Sequence, residues 1–229
     1  MQTALVELYT SEGCSSCPPA DRFLAGIPGP AYPPGRAVAI AWHVPYWDYI
    51  GWRDRFAQAV FATRQSWLVG VNGHRTVYTP HFFVSGKEVQ DWQGRLDGAI
   101  RRVNQQAAGA NITFNVSETR LRVLSIDASA TSDPERDQPQ LFIVVTEGPM
   151  SSSVRAGENR GITLRHSHVV RALVGPLPLV QGRISARREV TLGEDWNIAR
   201  IGIAAFVQKP ATGEILQAVA TERCELARR

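Results

Sequence analysis

A short apolar strand running into a cysteine-bearing turn is the feature that most constrains this chain. Leu5-Val6-Glu7-Leu8-Tyr9 reads as a buried strand. A Ser/Gly-rich turn follows, and Cys14-Ser15-Ser16-Cys17 opens a helix predicted from about Ser16 to Gly26. Pro18 and Pro19 suit a first helical turn, where a missing N–H costs little. The next strand is Ala37-Val38-Ala39-Ile40-Ala41-Trp42, a continuous apolar run bounded by Pro33-Pro34-Gly35 and by Pro45. Such a run is expected of a parallel strand buried on both faces, and the three elements together make a right-handed βαβ unit.

The C-x-x-C spacing carries a chemical expectation. At a helix start, unpaired N–H groups and the positive end of the dipole favour a thiolate, so Cys14 is the candidate nucleophile. Cys17 lies one turn on and on the same face, where it can resolve a mixed disulfide by attacking Cys14. Ser15 and Ser16 are uncharged and Glu12 is close by, which predicts a moderate rather than a strongly oxidising potential. The same pair admits two other readings: capture of a soft ion such as Cu(I) with help from His43 or His81, or a structural disulfide. No resident cofactor or dedicated metal set is expected.

The rest of the first half continues as α/β. An aromatic-rich connection, Tyr46-Trp47-Asp48-Tyr49-Ile50-Gly51-Trp52, leads into a helix predicted from about Arg53 to Gln65. Val77 to Val84 reads as a strand interrupted by Thr79-Pro80. Ser85-Gly86-Lys87 turns it into a second strand at Glu88 to Trp92, and a helix from about Leu96 to Gln106 closes the unit. After Ala107-Ala108-Gly109-Ala110 the pattern becomes β, with strands predicted at 112–116, 121–128, 141–146, 162–174, 184–192, 198–207 and 215–220. Seven short strands at this spacing predict a β-sandwich. The expected division is an α/β domain over residues 1–109 and a mainly β, sandwich-like domain over 110–229.

Composition narrows the function classes. A chain of 229 residues with 44% hydrophobic and 20% charged residues can bury a real core. Its net charge of +4 is spread without a basic block, so no nucleic-acid partner is expected. No apolar run reaches the ~18 residues of a membrane-spanning helix. Met1 and Gln2 lead almost directly into the first strand, so no leader is read at the start. Three cysteines are too few for a disulfide scaffold.

Tyr78-Thr79-Pro80-His81-Phe82-Phe83-Val84, taken with the cysteine turn, resembles the thioredoxin superfamily. There a strand opens on a Thr-Pro or similar dipeptide whose proline is cis and faces the cysteines. The resemblance implies that Pro80 is cis and that Thr79 pairs with an extended substrate. It also implies that Glu7 is a buried acid accepting the proton of Cys17, although this chain has one extra residue in that connection; the alternative is an ordinary salt-bridged strand residue. Within that superfamily the chain resembles the bacterial DUF1223 proteins, on four matches: residues 7–21, Trp42-His43-Val44-Pro45-Tyr46-Trp47-Asp48, Tyr78-Thr79-Pro80 and Gly157-Glu158-Asn159. It implies a thioredoxin-like domain joined to a β-rich one, in proteins that are usually exported. The expected location is therefore the periplasm, with the leader absent from this chain, and the cytoplasm is the alternative.

Several residues carry a functional reading beside a plainer one. His43 ends a buried strand on the edge where open α/β sheets place their sites, but also suits a hydrogen-bonded structural role. His81 adjoins Pro80 and is a candidate to approach the sulfurs. Trp42, Trp47 and Trp52 are read chiefly as core, with Trp47 as a candidate wall of a peptide surface. His166 and His168 alternate on one strand face, with solvent-facing side chains preferred over metal ligands. The loop 157–161 is read as a domain-docking turn, and Cys224 as an idle thiol or third redox partner. The function expected is thiol–disulfide exchange with a client protein or a small thiol or disulfide, in concert with a separate redox partner. A copper-binding metallochaperone and a thioredoxin-fold binding module are the alternatives.

Overall fold

In the computed structural model, which describes residues 1–133 and 138–221, β1 (Ala4–Thr10) is buried along its whole length and feeds two cores. Leu5 and Tyr9 enter a cluster with Trp42, Phe61 and Phe83, while Ala4, Val6 and Leu8 meet Ala20, Leu24, Leu96 and Ile100. This alternation follows from the two-residue period of a strand. It separates a face covered by α1 (Pro18–Leu24) and α3 (Trp92–Asn104) from one covered by α2 (Ala59–Val71).

β1 pairs in parallel with β2 (Ala37–His43) and antiparallel with β3 (His81–Val84), which turns into β4 (Lys87–Val89). The later strands are β5 (Ala110–Arg120), β6 (Val123–Ser132), β7 (Gln140–Glu147), β8 (Met150–Ser153), β9 (Thr163–His166), β10 (Val169–Pro178), β11 (Arg183–Thr191), β12 (Ile201–Gln208) and β13 (Ile215–Ala220). Eight strands form one sheet in the order β13-β12-β7-β10-β2-β1-β3-β4. Strands from both sides of residue 109 thus share a sheet. The seam is narrow: β10 meets β2 through the single pair Val169–Ala41, beside a 2.8 Å bond from the Ala41 N–H to the His168 carbonyl. A second sheet, β11-β6-β5, packs on β7, β10 and β12 through Ile112, Leu124, Ile126, Ile143 and Ile203. The architecture is mixed α/β, with large sheets and few helices, and no helix among the described residues is long and apolar enough to cross a membrane.

Three departures from the expected elements have local causes. The helix expected at Arg53 starts at Ala59, because Pro45–Ile50 forms a 3-10 turn and Asp54 accepts the N–H of Phe56 at 2.9 Å, a side-chain bond that competes with helical pairing. The strand expected over 162–174 breaks into β9 and β10 at His168, whose φ of 57° is left-handed. The predicted helix ending at Gly26 stops at Leu24, three residues before Ile27-Pro28.

Candidate functional site

Cys14 and Cys17 form a disulfide with a Cα–Cα distance of 5.4 Å, and neither residue is exposed. The turn is fixed by the Cys14 N–H on the Ser11 carbonyl and the Cys17 N–H on the Cys14 carbonyl. Cys17 caps α1 in helical conformation, with φ −79° and ψ −33°. Pro18 and Pro19 supply no N–H at this helix start, so the donor in reach of the Cys14 sulfur is the Ser16 hydroxyl, 3.4 Å away.

A loop more than a hundred residues downstream closes over the turn. Asn159, 1% exposed, donates through Nδ2 to the Glu12 carbonyl at 2.8 Å and the Cys14 carbonyl at 3.0 Å. Glu158 accepts the Ser15 N–H at 3.1 Å, and hydrogen bonding to the Ser15 hydroxyl, together with this N–H, lowers its carboxyl pKa. On the other flank, Trp47 packs on Gly13, where an added Cβ would lie 2.9 Å from the Trp47 Cβ. Its indole N–H reaches the Thr79 hydroxyl at 2.7 Å. Trp47 therefore ties the cysteine turn to the Thr79–Pro80 bond, which is cis.

Behind the turn lies a buried polar cluster. His43 Nδ1 is 2.6 Å from Asp54, and Asp54 also accepts the Glu12 N–H at 2.9 Å. Glu12 in turn accepts from the Trp52 indole at 2.7 Å and lies 3.1 Å from His166 Nε2. The two imidazoles meet edge to face at 5.1 Å, both against Phe56. Burial opposes ionisation of Glu12, but the hydrogen bonds from His166, Ser152 and Trp52 together outweigh it and its pKa is lowered. Asp54 is likewise lowered, with the positive His43 overcoming burial. Burial depresses His43, and the Asp54 carboxylate more than reverses this, so its pKa is raised. Asp21 stands apart: burial raises its pKa, and His43 and His166 only partly offset that.

The expected site residues fall into two groups. Cys14, Cys17, Thr79, Pro80, Trp47 and His43 gather at one end of the sheet. Glu7 and His81 project to the opposite face from α1. Glu7 lies in register with Phe83 and bonds Arg64 at 2.7 Å and the Trp42 indole at 3.0 Å, which is the salt-bridged alternative. His81 shares that face, stacks on Tyr78 at 3.9 Å and lies 3.1 Å from Glu88; burial lowers its pKa. The preference for a solvent-facing His166 is corrected: at 3% exposure it is inside the cluster, because it shares the inward face of β9 with the buried Leu164. Cys224 lies outside the described residues. Sequence reasoning passed over Asp21, Asp54 and the bonds of Asn159. Asp21 was legible from its place four residues after Cys17, whereas nothing in the sequence marks Asp54. Among the described residues, no three His, Cys, Asp or Glu side chains are arranged to hold a metal ion.

The fold and site define a mixed α/β protein with a buried disulfide at a strand-to-helix turn, covered by a distant loop. The chain belongs to the family described as Protein of unknown function (DUF1223), which it matches over residues 5–208. It is similar to a protein of Agrobacterium tumefaciens solved as a structural genomics target, at 22% identity and a TM-score of 0.67, covering 96% of this chain and 94% of that one. It is also similar to HBP35 of Porphyromonas gingivalis, at 16% identity and a TM-score of 0.72, covering 96% of this chain and 74% of that one. No curated protein matches the chain.

Proposed function

We propose that the protein is a thiol–disulfide oxidoreductase acting through Cys14 and Cys17, built on a thioredoxin-like N-terminal region. The observation that carries this reading is the closed C-x-x-C disulfide placed between the end of β1 and the start of α1. The sheet order β2-β1-β3-β4, with β3 antiparallel and opening on a cis Thr79–Pro80 bond, supports it. The Cys14 thiolate attacks a client disulfide, the Ser16 hydroxyl donates to the sulfur, and Cys17 then displaces the client thiol. Both sulfurs are buried, so a client reaches them when the loop bearing Glu158 and Asn159 moves aside. The extended client then lies along Thr79, beside Trp47. A disulfide of this kind persists in oxidising compartments, which favours an exported location.

The test is the reduction potential of the pair, measured on metal-free protein equilibrated in glutathione buffers with alkylation and mass readout. A reversible two-electron couple between about −120 and −270 mV is expected. The absence of any reversible couple overturns the reading, and a copper titration of the reduced protein then decides whether the cysteines serve a soft metal instead.

A further inference from the structure

We propose that Asp21 is the acid–base group that takes and returns the proton of Cys17 during exchange; this rests on the redox reading above. The geometry comes from the helix start. Because Cys17 is already helical, Asp21 lies one turn on and on the same face, with its N–H on the Cys17 carbonyl at 3.1 Å. Cys17, Ala20 and Leu24 are at most 1% exposed, and Asp21 is half-buried at the edge of their stripe. A thiol enclosed in this way needs a protein group to carry its proton.

The nearby acids differ in how far they are already engaged. Glu7 is on the other face with Arg64, Glu12 is held by Trp52 and His166, and Asp54 by His43 and two backbone N–H groups. Asp21 has no ion-pair partner within 4.0 Å among the described residues, and its carboxyl meets the uncharged Thr10 hydroxyl instead. The titratable groups that face it are His43 from β2, His166 from β9 and Asp54 from the connection before α2. Burial raises the Asp21 pKa toward the range in which a carboxyl can trade protons with a thiol.

The Cys17 S–H bond breaks, and the proton passes to the Asp21 carboxylate. The Cys17 thiolate attacks the Cys14 sulfur of the mixed disulfide, and the Cys14–client S–S bond breaks as the new one forms. The client leaves as a thiolate and is protonated at the expense of the Asp21 carboxylic acid. The cysteine pair is oxidised and the client disulfide is reduced by two electrons. In the reverse direction Asp21 protonates Cys17 as it leaves.

The test uses the full chain, reduced and then mixed with glutathione disulfide, between about pH 5 and pH 9. Mass readout follows the Cys14–glutathione adduct and its conversion to the Cys14–Cys17 disulfide. Asp21→Asn is expected to slow the conversion on the order of 100-fold at neutral pH. The rate should recover as pH passes the ordinary thiol value of about 8.5, with adduct formation at Cys14 unchanged. Asp21→Glu, which keeps the acid, is expected to restore most of the rate. Equal conversion by wild type and Asp21→Asn at every pH, or a Glu variant as slow as the Asn one, overturns the role of Asp21 while the redox reading stands. A wild type that forms no adduct overturns both.

Discussion

The side-chain amide of Asn159 donates to the backbone carbonyl of Cys14 across 3.0 Å and 145 positions of sequence. With its second bond, to the Glu12 carbonyl, this one residue satisfies two buried acceptors on the cysteine turn. Unmet buried acceptors cost free energy, so the cap has a measurable weight.

Asn159→Ala is expected to destabilise the oxidised protein by about 2 kcal/mol. For a chain of this size that is a fall of about 4–8 °C in Tm, read by calorimetry. In the reduced protein the same change should speed alkylation of Cys14. An unchanged Tm together with unchanged alkylation would show that the amide does not hold the cap.

Stability should peak in mildly acidic solution. Glu12 and Asp54 have lowered pKa values in the folded state. Their contribution is therefore present above the ordinary values of 4.5 and 3.8 and is lost as pH falls through the folded ones. His43 is raised, so its contribution is complete below the ordinary 6.5 and is lost as pH rises through its folded value. Asp21, also raised, adds to the decline with rising pH. Urea unfolding across pH should show a maximum between about 4.5 and 6.5, and His43→Gln should flatten the alkaline side.

Arg64 bonds Glu7 and Gln208 from α2 and lies over the rings of Trp42, Phe142 and Phe206. Arg64→Ala strands the buried Glu7 carboxylate and is expected to cost about 3–5 kcal/mol in denaturant unfolding. Pairing Arg64→Met with Glu7→Gln should recover much of that loss, since the uncompensated charge is gone.

A fragment of residues 1–109 is expected not to fold as a soluble monomer. The core around Tyr9, Trp42 and Phe61 is completed by Phe142, Val170, Phe206 and Ile215 from beyond that point. Circular dichroism and amide NMR of the fragment would check this. A dispersed, cooperative spectrum would show that the first half stands alone.

The sequence made the strand–cysteine–helix unit legible because its signals are local: an apolar run, a spaced cysteine pair, and prolines at a helix start. β13 was likewise placed at Ile215–Ala220, an apolar run set off by its turns. What stayed hidden depends on encounters between distant segments. Asn159 looks like an ordinary turn residue until its loop lands on Cys14. His166 reads as one of two alternating histidines until the left-handed His168 breaks the strand. Glu7 reads equally as a proton acceptor or as a salt-bridged strand residue, and the face that puts it beside Arg64 is set by which helix covers which side. The joining of β2 to β10 rests on one residue pair, too slight for any periodic pattern to announce.

The distance between the cysteines and their cap also sets an order of events at birth. Ribosomes add about 5–20 residues each second. The 145 residues separating Cys14 from Asn159 therefore take roughly 7–30 s to be made. Throughout that interval the growing chain carries its dithiol with no amide across it and no Glu158 at its mouth. The pair is at its most open before the chain is finished, and completion of the last third supplies the residues that close over it.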